Sequence, residues 1–136
     1  MSSSSFKIAH KLLTGAGAIE QLAAELTRLD VDNPLIVTDA ALVKSGTVAL
    51  ALEHLGERTY EIFDRVLPDP EISIVEDCMQ AYRGGGHDGL IGLGGGSAID
   101  IAKSVAAYAG YHGALEDLFG VDQVPRKGPP LIAIPT

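Results

Sequence analysis

The chain has little cysteine, little positive charge and no long apolar run, and each shortage closes off a class of function. Cys78 stands alone among 136 residues, so no internal disulfide can form and no Cys-x-x-Cys zinc or redox motif exists. A single thiol suits a reducing compartment, and a cytoplasmic location is expected. Ten basic residues face 18 acidic ones, for a net charge of −8. A chain this negative is repelled by phosphate backbones and anionic lipid, which argues against nucleic acid and membrane surfaces as partners. No stretch approaches the roughly 18 uninterrupted apolar residues that a membrane span needs. The opening Met1-Ser2-Ser3-Ser4-Ser5 lacks the basic region and apolar core of a secretory signal and reads as a disordered leader over residues 1–5.

Clusters that carry chemistry are scarce as well. His10, His54, His87 and His112 are scattered, with no helical i, i+4 pair and no carboxylate at metal-ligand spacing, and read as surface positions. Ser104 and the leader serines have no recognisable base partner, so no nucleophilic triad is expected.

What remains is an ordinary globular composition, 46% hydrophobic and 21% charged, at a length of about one domain. Strand-like and helix-like patterns alternate along it. Phe6 to Leu13 suits an edge-type strand, and Ile19, Leu22, Ala23, Leu26 and Leu29 form one helical face. Leu35-Ile36-Val37 is a short apolar strand ending in Thr38-Asp39, of the kind buried on both sides of a parallel sheet. A helix from about Thr47 to Leu55 and a strand from Arg58 to Phe63 follow. Pro68-Asp69-Pro70 forces an extended turn before a helical face of Ile72, Val75, Met79 and Tyr82. Leu90 to Leu93 is a second buried strand, leading through Gly94-Gly95-Gly96-Ser97 into a helix carrying Ala98, Ile101, Ala102, Val105 and Ala106. Leu115 to Leu118 suits a turn of helix, and Pro130 to Ile134 a final strand. The alternation predicts an α/β fold, a parallel sheet flanked by helices, over residues 6–136.

Gly94-Gly95-Gly96-Ser97-Ala98-Ile99-Asp100 is the strongest local motif. Between a buried strand and a helix, bare glycines let backbone N–H groups approach a pyrophosphate, and the helix macrodipole favours the anion. The competing reading is a tight turn with Ser97 as N-cap and Asp100 completing a capping box. No Gly-Lys-Ser/Thr follows, so it is not a Walker loop. Asp39, at the end of the first buried strand, is placed to accept the ribose hydroxyls of an adenosine and to repel a 2′-phosphate, or else is simply a turn residue and N-cap. Asp69 reads as a turn residue on a rigid loop that can line a pocket.

Gly15-Ala16-Gly17, Ile36-Val37-Thr38-Asp39, Pro68-Asp69-Pro70, the glycine turn with Ala102-Lys103, and Pro130 to Thr136 occur in the order seen in iron-containing (group III) alcohol dehydrogenases, which the chain resembles over nearly its whole length after the serines. The resemblance implies a Rossmann-like nucleotide-binding domain of the dehydroquinate synthase-like type. It implies NAD as cofactor, with Asp39 on the adenosine ribose and Asp69 flanking the adenine, where many members have Asn. Gly95, Gly96 and Ser97 would hold the pyrophosphate, Asp100 would lie near the nicotinamide end, and Thr136 would begin the next contact loop. It also implies a small alcohol or aldehyde substrate, and a lone domain would leave apolar surface uncovered where the family's second domain packs, so a homo-oligomer is expected. The family's divalent metal, iron or zinc, belongs with one Asp and three His ligands to a following helical domain, and nothing in these 136 residues matches them. The chain is therefore expected to be truncated before that domain, and to bind nucleotide without catalysing. Glycerol dehydrogenase, maleylacetate reductase and dehydroquinate synthase share the outline, and a non-enzymatic nucleotide-binding module is the remaining alternative.

Overall fold

Runs of apolar residues too short for helices assemble into one parallel sheet. The computed structural model describes residues 8–13, 17–68, 72–109 and 128–136. The leader, Asp69 and the Leu115–Leu118 segment lie outside them. Five strands, β1 (Ile8–Leu12), β2 (Pro34–Val37), β3 (Glu61–Phe63), β4 (Gly89–Gly94) and β5 (Gly128–Pro135), pair in the order β1-β5-β4-β2-β3, every pair parallel. The expected edge strand, β1, is at an edge, and β2 and β4 are buried along their full length.

Five helices connect them: α1 (Leu22–Arg28), preceded by a 3-10 turn at Ile19–Gln21, α2 (Ala40–Ser45), α3 (Thr47–Leu52), α4 (Ile72–Gly84) and α5 (Gly96–Tyr108). The two-residue period of the strands divides their side chains between two cores. Leu35, Val37, Leu90 and Leu131 meet α4 and α5 on one face. Ile36, Ile91, Leu93, Ile132 and Ile134 meet α1 and α3 on the other. Each fully buried leucine or isoleucine contributes about 1.5–3 kcal/mol over leaving it exposed. A Cβ at Gly92 would lie 3.2 Å from the Ala102 Cβ and 3.4 Å from the Ile99 Cα, so β4 and the small-residue face of α5 approach closely here.

The order of strands creates a crevice. From β2 the chain passes to β3 on one side and returns to β4 on the other. Connections therefore diverge above the carboxyl ends of β2 and β4, the switch point at which open parallel sheets take ligands.

The opposite, amino end of the sheet is cross-tied. The Asp88 carboxylate accepts from the backbone N–H groups of Asp32 and Asn33, both at 2.9 Å, and the Asn33 amide donates to the Gly85 and Gly86 carbonyls at 3.1 Å. The Arg58 guanidinium donates to the Val31 carbonyl at 2.9 Å, the Leu55 carbonyl at 3.0 Å and the Thr27 hydroxyl at 2.7 Å. His87 departs from its expected surface position: its side chain is 2% exposed. Its ring lies between the Asn33 carbonyl at 3.0 Å and a Glu61 carboxylate oxygen at 3.2 Å, partners 54 and 26 residues away.

Candidate nucleotide site

At the carboxyl end of β2 the chain leaves the sheet at Asp39, whose extended backbone and short carboxylate suit an N-cap. Asp39 Oδ1 accepts the Leu42 N–H at 2.9 Å and so starts α2, which Gly46 ends with φ 90°. Its other oxygen, Oδ2, lies 3.8 Å from where a Gly94 Cβ would stand. The capping role and the proximity to the glycine turn are thus properties of the same side chain.

The three glycines differ in kind. Gly94 has φ +146°, and a Cβ there would come within 3.2 Å of Leu42 and 3.3 Å of Ala98, so the protein itself requires a glycine. Gly95 and Gly96 carry no such requirement: a Cβ at either would meet no described residue within 4 Å, and Gly95, at φ −84°, lies in a region open to any residue. Their bareness keeps space open in front of the helix. Because Cα–Cβ bonds tilt toward a helix N-terminus, a side chain at Gly96 would fill that space.

Helix α5 starts two residues earlier than the capping-box reading places it. Gly95 is the N-cap and provides no side-chain bond, Ser97 is the second helical residue, and Asp100 is the fifth. Asp100 is therefore too far along to close a box, and it is exposed. The first intrahelical bond is Ile99 N–H to the Gly95 carbonyl, 3.2 Å. The N–H groups of Gly96, Ser97 and Ala98 make no hydrogen bond with any described residue. Such first-turn donors, at the positive end of a thirteen-residue helix, suit an anion.

These elements enclose a cleft of about 460 Å³, lined among others by Asp39, Asp64, Leu67, Gly95, Gly96 and Ser97. The size is in the range of small-molecule sites. Four of the expected contact residues thus share one cleft: Asp39, Gly95, Gly96 and Ser97. Thr136 is docked beside it through a 3.1 Å bond from its N–H to the Gly94 carbonyl, but it lines a separate cavity of about 280 Å³ with Gly17, Glu20 and His54. Asp100 does not line the cleft, and Asp69 lies outside the described residues. Asp64 is a cleft residue the sequence pattern does not single out, because it follows a strand of only three residues. No lysine or arginine is among the described lining residues.

Among the described residues nothing else competes as a reactive centre. Burial pushes the Cys78 thiol up to about 12, against a weaker opposing effect of Arg65, so it stays protonated and unreactive at neutral pH. Tyr82 is also raised to about 12, by burial first and then by the Asp88 charge. Among the described residues no three His, Cys, Asp or Glu side chains are grouped to hold a metal, and no helix is long and apolar enough to cross a membrane.

Both the sequence and the fold have relatives among known proteins. The long-chain-alcohol dehydrogenase 1 of Geobacillus thermodenitrificans is 38% identical over 127 residues, covering 90% of this chain and 32% of that protein. The 4-hydroxybutyrate dehydrogenase of Cupriavidus necator is 34% identical over 124 residues, covering 88% and 32%. The crystal structure of the NADH-dependent butanol dehydrogenase A of Thermotoga maritima superposes with a TM-score of 0.84 at 25% identity, covering 93% of this chain and 33% of that one. The chain thus spans about a third of the length of the curated relatives it matches. The family model for iron-containing alcohol dehydrogenase matches residues 9–136, and the chain belongs to that family.

Proposed function

We propose that this chain is the NAD-binding part of a metal-dependent alcohol dehydrogenase that interconverts a small alcohol with its aldehyde or ketone. The observation that carries the reading is the pair Gly95 and Gly96, which no described residue requires to be bare, placed before three first-turn N–H groups that bond no described residue. These residues fit a dinucleotide. The N–H groups of Gly96, Ser97 and Ala98 would donate to the pyrophosphate, with the Ser97 hydroxyl beside them, and Asp39 Oδ2 would accept from the adenosine ribose. Bound NAD would accept hydride from the alcohol carbon. The chain's own contribution is to hold and orient the nucleotide along the carboxyl edge of the sheet. The butanol dehydrogenase it superposes on is named as NADH-dependent.

The described residues provide no metal-ligand set. Because the chain spans about a third of its relatives' length, we take residues 6–136 as the nucleotide domain and assign polarisation of the alcohol oxygen and the substrate pocket to a further, helical domain. A cytoplasmic homo-oligomer fits the lone buried thiol and the family.

The test is a fluorescence titration with NADH. The chain has no tryptophan, so reduced nicotinamide emission is read against a tyrosine background only. Saturable enhancement is expected, with no NADH oxidation by added aldehydes. A linear response up to millimolar nucleotide would overturn the proposal.

A further inference from the structure

We infer that Asp64 is a second specificity determinant of the cleft, which acts with Asp39 to exclude a nucleotide carrying a 2′-phosphate; this rests on the dinucleotide reading above. Asp39 is only partly available for discrimination, because Oδ1 is engaged by the Leu42 N–H at 2.9 Å. Asp64 is exposed, lines the same cleft, and makes no hydrogen bond or ion pair with a described residue, so neither of its carboxylate oxygens is committed to the described part of the protein. The pairing of the strands places it there. Val37 is in register with Phe63, and Asp39 and Arg65 form an isolated bridge just beyond, so the exits of β2 and β3 run side by side.

The nearest cation along the chain is turned elsewhere. The Arg65 guanidinium lies 4.8 Å from the centre of the Phe63 ring and 3.5 Å from Asp77 on α4, and Arg65 is not among the residues lining the cleft. Among the described residues, two carboxylates without a compensating lysine or arginine therefore border the cleft that the glycine turn opens. A 2′-phosphate carries close to two negative charges. In a water-filled cleft, a carboxylate about 6–8 Å from it changes affinity about five- to tenfold.

The experiment measures NADH and NADPH affinities for the wild-type chain and for Asp64→Asn, Asp64→Ser, Asp39→Asn and the double Asp39→Asn/Asp64→Asn variant. Asparagine at 39 retains a capping oxygen, so α2 keeps its start. Asp64 bonds nothing described, and the serine variant separates loss of charge from the amide's new donors. Both Asp64 variants are expected to bind NADPH about five- to tenfold more tightly at low salt, with NADH affinity within twofold of wild type. The double variant should exceed either single one, and the gains should shrink in ~1 M salt, where the Debye length is about 3 Å. NADH binding that persists while NADPH affinity is unmoved in both Asp64 variants overturns the role of Asp64 and leaves the NAD site standing. A loss of NADH affinity in both also overturns it, by making Asp64 a ribose contact. Failure of the wild-type chain to bind either nucleotide overturns the NAD reading itself.

Discussion

The two ends of the sheet handle polar groups in opposite ways. At the amino end, Asp88, Asn33, Arg58 and His87 are bonded to backbone or side-chain partners far away in sequence, and these ties join the loops before β2 and β4 to the ends of α1, α3 and α4. At the carboxyl end, three N–H groups of α5 and the Asp64 carboxylate bond no described residue. Unmade hydrogen bonds at a solvated cleft cost little while water fills it, and they are the groups a ligand can use. One end fixes the geometry; the other keeps its donors and acceptors for something outside the chain.

The sharpest way to break that contrast is a side chain in the empty space before α5. Gly96→Val is expected to weaken NADH binding about a hundredfold, close to 2.7 kcal/mol, by displacing the pyrophosphate from its donors. Stability should stay the same or rise by up to about 0.5 kcal/mol, since a β-carbon there meets no described residue and glycine is a poor helix former. Wild-type affinity in this variant would place the nucleotide elsewhere.

Arg58→Ala probes the opposite end. Removing a guanidinium that donates to three carbonyls and a hydroxyl should cost about 2–3 kcal/mol in denaturant unfolding, while the affinity of the remaining folded protein for NADH changes less than twofold. Arg58→Lys should recover little, because an ammonium cannot reproduce the fork. A variant of full stability would show the amino-end ties to be incidental.

The smallest effect concerns Thr38, which is fully buried beside Asp39 with its hydroxyl unbonded. Thr38→Val retains the shape and removes the unmet group, so unfolding free energy should rise by about 1 kcal/mol. A fall instead would mean that the hydroxyl has a partner in the working protein.

Much of this architecture was legible in the residues, since Leu35 to Val37, Leu90 to Leu93 and Leu131 to Ile134 are apolar without interruption and can only be strands buried on two faces. The order of the strands was not, because apolar runs of this kind do not encode their neighbours. Helix α2 was also missed: Ala40–Ser45 is too short to show a face, although Asp39 and Gly46 bracket it as cap and terminator. Serine's preference for N-caps pointed to Ser97, whereas α5 starts at glycines without side-chain help. That difference moved Asp100 from a box partner to an exposed fifth position. The burial of His87 depends on Asn33 and Glu61, and the placement of Asp64 depends on β3 lying next to β2. Neither long-range pairing leaves a local signature.

The most direct test of the division between the two ends is amide hydrogen exchange of the full chain with and without saturating NADH. Slowed exchange is expected at Gly96, Ser97 and Ala98 and around Asp39, with Asp32, Asn33 and His87 at the amino end unchanged. Protection centred on the amino end, or none at saturation, would contradict the assignment of the carboxyl-end cleft to the nucleotide.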